Sequence, residues 1–145
     1  MVTPILFWSL LADNPYSFNY VYARGSFKTW NQEPLYVLDE LTAYTNGGIV
    51  SFQTVRRDSS KVDQYMSAST ALGMTVEQKD NNYYQSSKGK DFQNFLGYSL
   101  ERAMDVHVQQ TIRSGGTEQQ AKQSFQGMTT SAQRKYLQNT FTKSW

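Results

Sequence analysis

Apolar residues recur along this chain mainly at helical spacing. The clearest stretch runs from about Asp91 to Ile112. At roughly 100° of turn per residue, Phe92, Phe95, Leu96, Leu100, Ala103 and Val106 share one face there, with Glu101 and Asp105 opposite. A helix over about Pro34 to Thr45 is bracketed by a proline near its start and Gly47-Gly48 near its end. The glycine pair is expected to stop or kink it. The following Ile49 to Arg57 is ambiguous because of its β-branched residues. Ser60-Lys61-Val62-Asp63 has the form of a capping box with Asp in place of Glu. The helix it opens carries Val62, Tyr65, Met66, Ser69 and Leu72 on one stripe.

Two further boxes of the Ser/Thr-x-x-Glu/Gln type, Thr117 to Gln120 and Thr130 to Gln133, predict short helices burying Ala121, Phe125, Tyr136, Leu137 and Phe141. Arg113-Ser114-Gly115-Gly116 separates them from the long helix. Residues 77–91 are polar and turn-rich and read as a mobile loop. Pro4 to Ala12 reads as a packed first helix: it has no basic residue before it as a signal peptide would, and it is too short to cross a bilayer. Residues 13–32 mix turn formers with aromatics and read as an ordered, aromatic-rich loop, with an extended piece at Phe18 to Tyr22. The fold class that follows is all-α: one domain over 1–145, with five to seven helices.

Composition sharpens this picture. With 145 residues, 39% of them hydrophobic and 14% aromatic, the chain has enough apolar surface for a core, which argues against general disorder. A net charge of +2 with dispersed basic residues argues against a nucleic-acid footprint. The absence of cysteine excludes disulfides, thiolate catalysis and thiolate-bound metals. A soluble protein is expected, with the cytoplasm favoured.

The candidate chemistry is sparse. Asp39 and Glu40 are neighbours on a helix and point about 100° apart, so they cannot share one proton as a facing pair does. Glu40 stands one turn from both Tyr36 and Tyr44, whereas Asp39 has Leu35 and Ala43 as its one-turn neighbours. Each carboxylate fits either a ligand or base role or a structural pairing with Arg24, Arg56 or Arg57. His107, the only histidine, lies on the inward side of its helix, where it fits a core histidine or an imidazole facing Asp39 or Glu40. One histidine cannot supply a zinc site of the usual kind, and no phosphate-binding or nucleophile-elbow motif is present. No cofactor is expected. The segment Tyr20 to Trp30, with Tyr20, Tyr22, Arg24, Phe27, Lys28 and Trp30, fits core anchoring or the stacking of single-stranded bases.

Trp30, Pro34-Leu35, Leu38-Asp39-Glu40-Leu41, Ala43-Tyr44 and Asn46-Gly47 together resemble the segment downstream of the metal-binding helix in some bacterial zincin-like proteins. In that family an acid on a second helix completes the zinc site, so the resemblance implies Glu40 or Asp39 as a third ligand. The family's His-Glu-x-x-His is lacking. The only upstream candidate helix, Ile5 to Ala12, has neither histidine nor acid. The resemblance therefore implies a piece of a longer protein or a related fold without that catalytic site.

Three functional expectations follow. The first is a non-enzymatic helical domain acting through a protein partner or self-assembly, with residues 15–30 and 77–91, including Tyr83-Tyr84, as contacts. The second is a zincin-like remnant centred on Asp39, Glu40, Tyr44 and His107. The third is single-strand binding by the 20–30 segment.

Overall fold

Small and hydroxylated residues make the central helix of this protein. The computed structural model describes residues 35–54 and 61–142. Six helices form there: α1 Tyr36–Gln53, α2 Val62–Lys79, α3 Asn81–Gln85, α4 Ser87–Arg113, α5 Glu118–Gly127 and α6 Ser131–Phe141. No strand occurs among the described residues, so the class is all-α as the periodicity predicts. The expected helix at Pro4 to Ala12 and the aromatic loop at 13–32 lie outside the described residues.

Helix α2 touches each of the other five helices. Only one apolar stripe was expected on it, yet Val62, Asp63 and every residue from Tyr65 to Val76 are buried. The reason is side-chain size, together with local hydrogen bonds from the two threonine hydroxyls. Ser67, Ala68, Ala71 and Gly73 let neighbouring helices approach closely. Thr70 Oγ1 donates to Met66 O at 2.8 Å and Thr75 Oγ1 to Ala71 O at 2.7 Å, which removes most of the cost of burying them.

Helices α1 and α4 run parallel and touch each other, and α2 packs antiparallel against both. Arg102 donates to Asn46 Oδ1 at 3.2 Å, and eleven residues further along α4 Arg113 donates to Ser51 O, also at 3.2 Å. The second bond satisfies a carbonyl in the last turn of α1, which has no basic residue of its own there. The Arg113 guanidinium also sits 5.6 Å from the Phe52 ring centre.

Of the two outcomes expected of the Gly47-Gly48 pair, a stop or a kink, the stop does not occur; α1 continues to Gln53. Gly48 faces Val106 and Gln110 of α4, where a Cβ would collide with the Val106 side chain. Close helix–helix approach, not termination, accounts for this glycine.

The expected loop at 77–91 is largely helical. Asp80 ends α2 and caps α3, its carboxylate accepting from Tyr83 N at 3.1 Å. Ser86 then caps α4, accepting from Gly89 N at 3.1 Å. Gln93 Nε2 donates to Tyr84 O at 2.7 Å and ties the corner down. Polar residues look loop-like in sequence, but here they serve as caps. At the other end of α4, Gly115 is left-handed (φ +87°), and Gly116 N donates to Thr111 O and Gly115 N to Ile112 O. This is the glycine-terminated stop expected at that point.

Both predicted capping boxes form. Gln120 Oε1 accepts from Thr117 N at 2.8 Å, and Gln133 Oε1 accepts from Thr130 N at 2.7 Å. Ala121, Phe125, Tyr136 and Leu137 are buried as expected, and Phe141 partly so. The Ser60 end of the third predicted box lies outside the described residues. Helix α2 begins after Lys61 with no side-chain cap.

Candidate functional site

Helix α4 presents two unlike faces. Leu96, Leu100, Ala103 and Val106 enter the core as predicted. Phe95, placed on the same inward stripe by its spacing, is instead 50% exposed, and Tyr98 is 61% exposed. The parallel neighbour α1 covers only part of α4 and leaves a shallow groove. Near the helix N-termini this groove forms a depression of about 470 Å³, with Leu35, Leu38, Asp39, Tyr83, Lys88, Asp91 and Phe92 around Phe95. A second depression of about 160 Å³ lies beyond Phe95, between Thr42 and Asn46 of α1 and Tyr98 and Arg102 of α4. Phe95 belongs to both, so the apolar strip is continuous. Its rim is charged, with Asp39, Lys88 and Asp91 toward one end and Arg102 toward the other.

The candidate residues read from the sequence do not converge. Asp39 is exposed on the rim of this groove, and Glu40 is half-buried on α1. Tyr44 stacks on Tyr65 of α2, ring centres 4.5 Å apart, as part of the core packing. His107 is buried near the far end of α4. Gly48 marks the level of Val106 on the parallel helix. Glu40 lies eight residues earlier on α1, which displaces it by about 12 Å along the axis. The expected facing of His107 toward Asp39 or Glu40 is therefore not realised. Among the described residues no group of three or more His, Asp or Glu side chains is placed to hold a metal.

The acid near His107 is Asp63, in the first turn of α2. Burial pushes its carboxyl above the ordinary carboxylate range. The nearby His107, the Gln64 N–H (2.9 Å), its own backbone N–H and the Ser124 hydroxyl all oppose that rise. His107 Nε2 lies 3.2 Å from Ala121 O. A carbonyl only accepts, so this bond requires the proton on Nε2. Ser124 is bonded to the carboxylate and Nε2 is engaged with the backbone, an arrangement that lacks a serine–imidazole contact of the nucleophile–base kind. The cluster joins α2, α4 and α5. Sequence reading took Asp63 for the last residue of a capping box. Its position one turn from the buried Met66 was the available signal.

A second polar cluster was also missed. Gln133 is 1% exposed, and its Nε2 donates to Ser67 O at 2.8 Å while its Oε1 serves the capping box. Ser67 Oγ in turn donates to Met128 O at 2.7 Å. Of the Tyr83-Tyr84 pair, Tyr83 is exposed on the groove, whereas Tyr84 is buried with its Oη 2.9 Å from Tyr136 Oη. Burial and that contact drive the Tyr136 hydroxyl far above the usual tyrosine range. Tyr20, Tyr22, Arg24, Phe27, Lys28 and Trp30 lie outside the described residues.

No family model matches this sequence, and no curated protein or solved structure is found to be similar to it. Among the described residues no helix is long and apolar enough to cross a membrane.

Proposed function

We propose that this chain is a non-catalytic helical module that works by docking another protein surface onto the α1–α4 groove. One observation carries the reading. Phe95, Tyr98, Leu35 and Tyr83 lie open along one continuous strip, while Leu96, Leu100, Ala103, Met104 and Val106 of α4 are committed to the core. Contiguous exposed apolar surface with a polar rim is characteristic of an interaction site. Aromatic residues also supply much of the energy at such sites. The charged side chains on the rim suit partner selection more than affinity.

The candidate acids support no competing chemistry. Asp39 is solvated on the rim, and the buried Asp63 is hydrogen-bonded from several sides. A photo-cross-linking amino acid at Tyr98, compared with the same group at the exposed Gln123 of α5, tests the docking reading in cells that produce the protein. Adducts confined to position 98 are expected. Adducts at neither position, or equally at both, would overturn it.

A further inference from the structure

The geometry points to a second copy of this chain as the occupant of the groove, packed with the two α4 helices antiparallel. This rests on the docking reading above and adds the partner and its orientation. The observation is a pattern on the open face of α4. Lys88, Asp91, Phe95, Tyr98, Arg102 and Asp105 are all exposed. They are spaced alternately three and four residues apart, which is the seam of a left-handed helix pair. The stripe spans about 26 Å at 1.5 Å per residue.

Read from its two ends, the stripe is complementary to itself. A two-fold axis between Phe95 and Tyr98 places Phe95 against Tyr98 of the second copy, Asp91 against Arg102 and Lys88 against Asp105. Every charged position then meets its opposite, twice over, around two aromatic pairs. A parallel arrangement would set each residue against itself, with four like-charge contacts at Lys88, Asp91, Arg102 and Asp105. Like charges directly opposed across an interface are costly, so the charges select the antiparallel pairing. A two-fold interface requires a self-complementary patch, and this one has it. Arg102 uses one guanidinium nitrogen on Asn46 of its own α1 and keeps its remaining donors for Asp91 of the second copy. The aromatic residues and the groove walls supply the affinity, because exposed ion pairs contribute little.

Sedimentation equilibrium of the purified full chain tests the proposal, with the helical circular-dichroism signal confirming that each variant is folded. The wild type is expected to be dimeric at about 100 μM, the range where weak homodimers are populated. Asp91→Arg and Arg102→Asp alone should each weaken the dimer by about 100-fold, since each creates two like-charge contacts. Asp91→Arg combined with Arg102→Asp should restore it. Lys88→Asp with Asp105→Lys is a second swap that leaves α1 untouched and should behave the same way. A monomeric wild type, a dimer indifferent to the single reversals, or a failure of both double swaps to restore association would each overturn the antiparallel homodimer. The cross-linking result separates this from the docking reading. Adducts at Tyr98 with a different polypeptide, from a monomeric chain, defeat the homodimer and leave the docking face standing. No adducts at Tyr98 defeat both.

Discussion

Gln133 performs two functions that are usually separate. Its backbone N–H and side-chain oxygen close the cap of α6, while its amide nitrogen bonds the Ser67 carbonyl inside α2. Replacing it with Ala removes the side-chain half of the reciprocal cap and the buried bond that ties α6 to α2. A loss of about 2 to 3 kcal/mol in denaturant unfolding is expected. Gln133→Glu keeps the oxygen that accepts from Thr130 N but opposes a carboxylate to Ser67 O, so it should also destabilise. Stability of Gln133→Glu equal to wild type would show that the bond to α2 contributes nothing. The pattern Thr130-x-x-Gln133 announced the cap. Nothing in it announced the bond to α2, because that bond depends on which face of α6 meets the central helix.

At the scale of the element, adjacent glycines separate local preference from packing. Gly47 has open space where a side chain would stand, whereas Gly48 abuts Val106 and Gln110. Gly47→Ala should therefore stabilise by about 0.5 to 1 kcal/mol through helix propensity alone. Gly48→Ala should destabilise by about 1 to 3 kcal/mol because α1 and α4 must move apart. Paired thermal melts decide this, and equal shifts for both variants would contradict the packing account. The sequence supported a helix start near Pro34 but misread its end, since two glycines carry the same local signature whether they stop a helix or admit a neighbour. The 77–91 segment was misread for a related reason. Asp80, Ser86 and Gln93 hold a tight α2–α3–α4 corner through bonds that composition alone reports as loop polarity.

At the scale of the whole molecule, a titratable cluster sits where α2, α4 and α5 meet. The Asp63 carboxyl is raised by burial, so the folded state holds its proton to higher pH than the unfolded chain, whose value is near 3.8. Between those two values the native state binds more protons, and stability falls as pH rises through the folded value. Once ionised, the buried carboxylate is a net cost to the fold. Asp63→Asn keeps an acceptor for the Gln64 N–H and Ser124 and removes the charge. It should melt higher than wild type at pH 7, with the advantage shrinking as the pH is lowered toward 4. An advantage that stayed constant across that range would refute burial as the cause.

The hydrophobic periodicity, caps and glycines of this chain were sufficient to determine an all-α class, the core face of α4 and the starts of α5 and α6. These are local properties, set by neighbours three or four residues away along one helix. The functional surface was not local. Phe95 shares the spacing of core residues and is exposed because α1 packs to one side of it and leaves that strip of α4 uncovered. His107 faces inward as its position predicts, yet its acid is Asp63 rather than Asp39 or Glu40, because α2 runs antiparallel and brings its first turn to that level. Which buried polar groups meet, and which apolar residues remain open, depended on helix direction and register. Those are fixed by packing between elements distant in sequence.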